Sequence, residues 1–164
     1  KAPTGYQLDE APLEFTIEFN QPEPATVTKE NKAKAGTVIL TKKDSVTKEG
    51  LASAVFQLQK ADGTNLQNGL ETNESGNLEV RDLEPGDYKL IETAAPTGYI
   101  LDASPVAFTI SFNQTEAVSV TKENTAKTGS VILTKQDSVM KTGLAGAEFK
   151  LQTATGTTLQ NNLA

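Results

Sequence analysis

The sequence predicts an all-β protein made of tandem antiparallel β-sandwich modules. Three observations predict it. Short alternating segments recur roughly every 8–15 residues between turn signals. No segment sustains a helical period. The chain also repeats itself at a fixed offset of 93 residues, a common size for one domain.

The repeat sets the organisation. APTGY occurs at 2–6 and at 95–99, and FTIEFNQ at 15–21 returns as FTISFNQ at 108–114. VTKEN ends at Asn31 and again at Asn124. GTVILTKKDSV at 36–46 returns as GSVILTKQDSV at 129–139. Residues 1–71 overlay 94–164 without a gap, with roughly two thirds of positions identical. KENKAKAG (29–36) and KENTAKTG (122–129) are polar, aperiodic and end in glycine, which marks them as linkers. On that cut, 1–31 is the C-terminal part of one repeat, 35–124 is a complete repeat, and 128–164 is the N-terminal part of the next. Linkers this short predict neighbouring units set end to end with limited freedom. The chain opens directly on KAPTGY and reads as a piece of something longer.

Within the complete repeat, the first strand is expected near 36–43. A second, near 54–60, stops at the DG turn of 62–63. A short strand is expected near 64–69. SGN at 75–77 opens a strand near 77–83, and PGD at 85–87 opens one near 86–93 that closes before PTG at 96–98. The last two are expected near 106–112 and 117–124.

Composition narrows the function classes. Hydrophobic residues make up 37% and charged residues 22%, with three Tyr and no Trp. The net charge is −6, and the lysines are scattered among acids, so no basic patch exists to neutralise phosphates and nucleic acid is not expected as a partner. No apolar run approaches the roughly 20 residues that span a bilayer, so no membrane insertion is expected of this segment. There is no Cys and no His, which removes the usual zinc sites, disulfides, thiol nucleophiles and His-based triads. DGTN at 62–65 lacks the spaced carboxylates of a calcium loop. Neither a metal nor a cofactor is expected. NES at 73–75 and NQT at 113–115 fit a glycosylation sequon, a pattern short enough to arise by chance.

Alternation along the strands exposes one unusual constellation. In the first strand Val38, Leu40 and Lys42 share a face; in YKLIET, so do Tyr88, Leu90 and Glu92; in the last strand, so do Val118, Val120 and Asn124. Three strands thus each aim one polar group at the core. Burying an amine, a carboxyl and a carboxamide costs several kcal/mol unless they satisfy one another. Three readings fit. The trio is a buried Lys–Glu ion pair with an Asn hydrogen bond, or the lysine snorkels from a strand end, or the three react. A lysine stripped of water is a nucleophile in its neutral form. A carboxylic acid in an apolar pocket can hold its proton, polarise the Asn carbonyl and shuttle protons while the amine attacks. Ammonia leaves, and a Lys–Asn isopeptide bond remains. Asn113 is a rival acceptor, but it alternates outward relative to Phe108, Ile110 and Phe112. Lys122 shares parity with Asn124 where an apolar residue is expected, so either the strand bulges there or the inward pattern ends at Val120.

VxLxKxD at 38–44, LxPGxYxLxETxAPxGY at 83–99, and a strand ending in Asn before a polar linker resemble the Cna B-type domain of Gram-positive surface adhesins and many pilins. YxLxETxAPxGY resembles that family's E-box. The resemblance implies a β-sandwich of inverse immunoglobulin, transthyretin-like topology. It also implies a spontaneous isopeptide between first and last strands, with Lys42 as amine, Asn124 as carboxamide and Glu92 as catalyst. In the partial repeats, Asn31 and Lys135 hold the matching acceptor and amine positions. Their remaining partners lie outside the 164 residues, so one bond is expected in this chain. The implied role is a stalk or spacer of an extracellular adhesin or fibre, attached to a Gram-positive cell wall. Its partners are adjacent repeats and other fibre subunits, and any host matrix ligand falls to another domain. A sortase-assembled pilin shaft and a matrix-binding module are the alternatives. A turnover enzyme is not expected, because the only visible chemistry is self-directed.

Overall fold

The structure, a computed structural model, describes all residues 1–164. Residues Lys1–Lys127 form one compact unit and Thr128–Ala164 a second.

The first unit holds seven strands: β1 (Gly36–Asp44), β2 (Val55–Lys60), β3 (Asn65–Glu71), β4 (Asn77–Leu83), β5 (Gly86–Ala94), β6 (Val106–Ile110) and β7 (Val118–Asn124). They form a three-stranded sheet, β4-β1-β7, and a four-stranded sheet, β3-β2-β5-β6. The chain is therefore an all-β sandwich, as its alternation predicts. Each inner face contributes every second residue to one core: Val38 and Leu40 from β1, Phe56 and Leu58 from β2, Leu78 and Val80 from β4, Leu90 from β5, Phe108 and Ile110 from β6.

One pairing departs from the antiparallel expectation. β1 and β7 run parallel and in continuous register, from Val38 opposite Val118 to Asp44 opposite Asn124. Turn signals do not reveal this, because a parallel pair needs a long crossover rather than a hairpin. Here the crossover is the whole of β2 to β6. β6 also stops sooner than expected, at Ile110. Ser111 to Gln114 turn back with Asn113 at φ 59°, which leaves Phe112 half exposed beyond the strand.

The loop joining β1 to β2 crosses closely under the start of β4. Gly76 sits at φ +76°, and a Cβ there would stand 2.5 Å from the Lys42 carbonyl and 2.6 Å from the Leu51 amide. This approach lets Lys42 N donate to Gly76 O (2.7 Å) while its carbonyl accepts from Leu51 N (2.9 Å), fixing the backbone of Lys42 from both sides.

The second unit has β8 (Phe149–Gln152) and β9 (Thr158–Leu163), an antiparallel hairpin. One repeat earlier, the same positions are β2 and β3. GSVILTKQD at 129–137, the counterpart of β1, is not a strand. In the complete repeat β1 is laddered to β4 and β7, and 128–164 contain no counterpart of either. The turn after it needs no such partner and is kept: Asp137 Oδ1 accepts from Val139 N and Met140 N, as Asp44 Oδ1 does from Val46 N and Thr47 N.

Gly76→Ala should lower stability by more than the ~1–3 kcal/mol of a left-handed non-glycine residue, because backbone collision adds to strain. Gly63→Ala has a similar φ (+95°) with nothing within 4 Å, so it should cost strain alone. Urea denaturation of the two variants measures the difference.

Candidate functional site

β1, β5 and β7 deliver Lys42, Glu92 and Asn124 to one buried place. All three are at most 2% exposed. Lys42 and Glu92 follow from strict alternation, with every second residue from Gly36 to Asp44 buried along β1 and the inward set Tyr88, Leu90, Glu92 along β5. The in-register pairing of β7 on β1 carries Asn124 to the same end of the sandwich.

The carboxyl of Glu92 lies between the other two groups. Its Oε1 faces Lys42 Nζ at 3.9 Å, beyond hydrogen-bonding reach. Its Oε2 accepts from Asn124 Nδ2 at 2.9 Å and from the Asp102 amide at 3.0 Å. Asn124 Nδ2 donates a second bond to the Ile100 carbonyl at 2.8 Å, which fixes the carboxamide plane. Two buried oxygens are left without a partner, Glu92 Oε1 and Asn124 Oδ1. The Lys42 amine has only a long contact, 3.5 Å, to the Lys122 carbonyl. Buried polar atoms are ordinarily satisfied. This cluster departs from that rule, with two orphan oxygens and an under-bonded amine. Burial pushes the Lys42 amine below the ordinary lysine range. The Glu92 carboxyl opposes that shift, and the Lys122 cation adds to it.

Lys122 resolves the parity conflict in a way neither expectation foresees. β7 does not bulge, and its inward pattern continues through Lys122, which is buried. Its ammonium reaches Asp102 Oδ2 at 2.6 Å and both the carbonyl and hydroxyl of Ser104 at 2.7 Å. The hydrogen bond from Lys122 leads the causes that hold the Asp102 carboxyl well below the usual carboxylate range. The Asp102 amide in turn holds Glu92. A second clamp runs from Tyr99, whose hydroxyl donates to Asp44 Oδ2 at 2.9 Å and ties the segment carrying Ile100 to β1. Asp102, Ser104 and Tyr99 carry no polar-in-core signal, whereas Asp44 continues the inward alternation of Val38, Leu40 and Lys42 and is buried. The structure repeats one of these pairs: Asp9 and Lys29 stand where Asp102 and Lys122 stand, and they too form an ion pair, at 3.3 Å.

The other two predicted positions lie apart from this cluster. Asn31 is half-buried, and its Nδ2 donates to the Gln7 carbonyl at 2.8 Å, the counterpart of the Asn124–Ile100 bond. Lys135 is exposed in the second unit. Asn113 is half-buried in the turn after β6 and takes no part in the cluster.

Residues 36–125 match the model of a family described as SpaA, prealbumin-like fold domain. Among solved structures, the major pilin subunit BcpA of Bacillus cereus is 33% identical, with a TM-score of 0.52 over 56% of this chain and 29% of its own. The minor pilin GBS52 of Streptococcus agalactiae is 28% identical, with a TM-score of 0.54 over 64% of this chain and 51% of its own. The Bacillus anthracis TIE protein is 26% identical, with a TM-score of 0.61 over 98% of this chain and 30% of its own. The chain thus spans from under a third to about half of these proteins' lengths. No curated protein matches it. The pilin matches agree with the Cna B-type resemblance.

The Asp102 carboxyl is held low by the fold, so its contribution to stability is present above the ordinary carboxylate range. It is lost as pH falls through its folded value. Asp102→Asn should therefore flatten the acid limb of a stability–pH curve measured by thermal denaturation.

Proposed function

The chain belongs to the SpaA prealbumin-like fold domain family, and from that premise we propose that it is a structural stalk segment of a Gram-positive surface adhesin or fibre. In this reading its repeats are 1–31, 35–124 and 128–164, and Lys42 and Asn124 condense to an isopeptide bond within the complete one. The observation that carries the reading is the buried trio with its unsatisfied oxygens. The pilin relatives support the fibre setting and an extracellular, wall-attached location, with neighbouring repeats and other fibre subunits as partners.

The chemistry follows from the placement of Glu92. Lys42 Nζ, freed of its extra proton, attacks Cγ of Asn124. The Nζ–Cγ bond forms and the Cγ–Nδ2 bond breaks. One carboxyl oxygen of Glu92 faces the nucleophile and the other touches the leaving nitrogen. A single side chain can thus accept the proton from the amine and deliver it to the departing Nδ2, which leaves as ammonia. The low-dielectric pocket favours the neutral amine, and fixed geometry replaces a bimolecular encounter. The reaction turns over once, so the protein is not an enzyme in the ordinary sense.

The mechanical consequence rests on the parallel β1–β7 pair. Tension between Gly36 and Asn124 pulls adjacent parallel strands in opposite directions, so their ladder is loaded in shear. With the bond in place, force enters at Gly36, crosses at Lys42 and leaves at Asn124, bypassing everything between. Treated like a disulfide closing that loop, the bond stabilises by ~4–5 kcal/mol through the unfolded state.

Intact mass after denaturation tests the proposal. The mature chain should be lighter than its sequence by one ammonia, and Lys42→Ala and the near-isosteric Glu92→Gln should restore the full mass. Full sequence mass in mature wild-type protein would refute it.

A further inference from the structure

The two copies of PTGY offer an internal comparison. Both make the same turn, with Gly5 at φ 83° and Gly98 at φ 87°. Both are tied to the linker that follows their own repeat by the same bonds. Gln7 N donates to Lys32 O (2.8 Å) and Lys34 N to Gly5 O (2.8 Å). The second copy has Ile100 N to Thr125 O (2.9 Å) and Lys127 N to Gly98 O (2.8 Å). Tyr6 bridges Ala33 as Tyr99 bridges Ala126.

Only their surroundings differ. Gly5 is buried, and a Cβ there would collide with the ring of Phe112 and touch Asn113; Gly98 is exposed, with nothing within 4 Å. Tyr6 lies against the same ring, centroids 5.1 Å apart and tilted by 58°. Phe112 belongs to the FNQ turn after β6, and its own copy one repeat earlier, Phe19, is fully exposed at 101%. The seat is also fixed from the linker side. A Cβ on Gly36, the first residue of β1, would collide with Ile110 and crowd Gln114, whose Nε2 donates to the Thr37 carbonyl at 3.1 Å. Turn, linker, β1 and FNQ turn therefore close a ring of contacts.

We propose that this ring is the joint between consecutive repeats: the PTGY turn of one copy seats the FNQ turn of the following copy. Tyr6 and Gly5 with Phe112 are the occupied instance. Gly98 and Tyr99 are an open seat for the FNQ turn of a further copy, and Phe19 is the matching plug. Glycine is required twice over, by the left-handed turn and by the ring lying against its α-carbon. The joint removes the freedom that a short polar linker would otherwise leave between modules. The inference rests on the tandem-repeat part of the stalk reading and not on the Lys42–Asn124 bond.

NMR of the 164-residue protein tests it. Gly5 and Gly98 lie in identical tetrapeptides, so a ring current from Phe112 should separate their α-proton shifts. Phe112→Leu, and independently Tyr6→Ser, should move Gly5 towards Gly98 and leave Gly98 in place. Both variants should speed tryptic cleavage at Lys29, Lys32 and Lys34 several-fold. Phe19→Leu, the same change at the unseated copy, should do neither. Coincident Gly5 and Gly98 shifts, or linker cleavage unchanged by Phe112→Leu and Tyr6→Ser, would overturn the joint. Neither readout depends on whether ammonia has been lost, so the joint and the bond stand or fall separately.

Discussion

The candidate site depends on the burial of one lysine amine. Alternation along β1 leaves Lys42 no route outward, since Val38 and Leu40 on the same face are fully buried. Removing a charged amine from water costs several kcal/mol, and partial compensation leaves the site costly. Glu92 faces the amine without bonding it, and Asn124 presents a carboxamide whose oxygen has no donor. The register of β7 on β1 decides that these groups meet. A shift of one residue would turn Asn124 out of the core.

The same register sets Lys122 directly beside Lys42, so two lysine side chains enter one face of one sheet. They coexist because their partners differ. Lys122 reaches the segment after β5, where Asp102 and Ser104 satisfy it, while Lys42 meets only Glu92 and a carbonyl at long range. The satisfied lysine discourages a second positive charge next to it. The Asp102 backbone, placed by the Lys122 ion pair, supplies one of the two bonds that orient Glu92. The ion pair at the rim and the orientation of Glu92 at the centre are thus linked.

Much of this was legible in the sequence because it is written in period-two alternation. With the turn signals, it places seven strands, one of them two residues too long, and the inward orientation of Lys42, Glu92 and Asn124. The parallel pairing of β1 and β7 was not legible, since it depends on which strands meet after a long crossover. The fate of Lys122 is not legible either, because parity reports direction but not partners. Its aspartate sits in an irregular segment where alternation has no meaning. The copies also separate local from non-local determinants. The Asp44 turn forms again at Asp137 without neighbours, whereas GSVILTKQD, almost identical to β1, forms no strand without β4 and β7 beside it.

The central claim is that covalent chemistry, not ion pairing, resolves the cost of the buried trio. High-resolution crystallography of mature protein tests it most directly. Continuous density between Lys42 Nζ and Asn124 Cγ, with Nδ2 gone, is the predicted result. Two complete, separated side chains at full occupancy would contradict it.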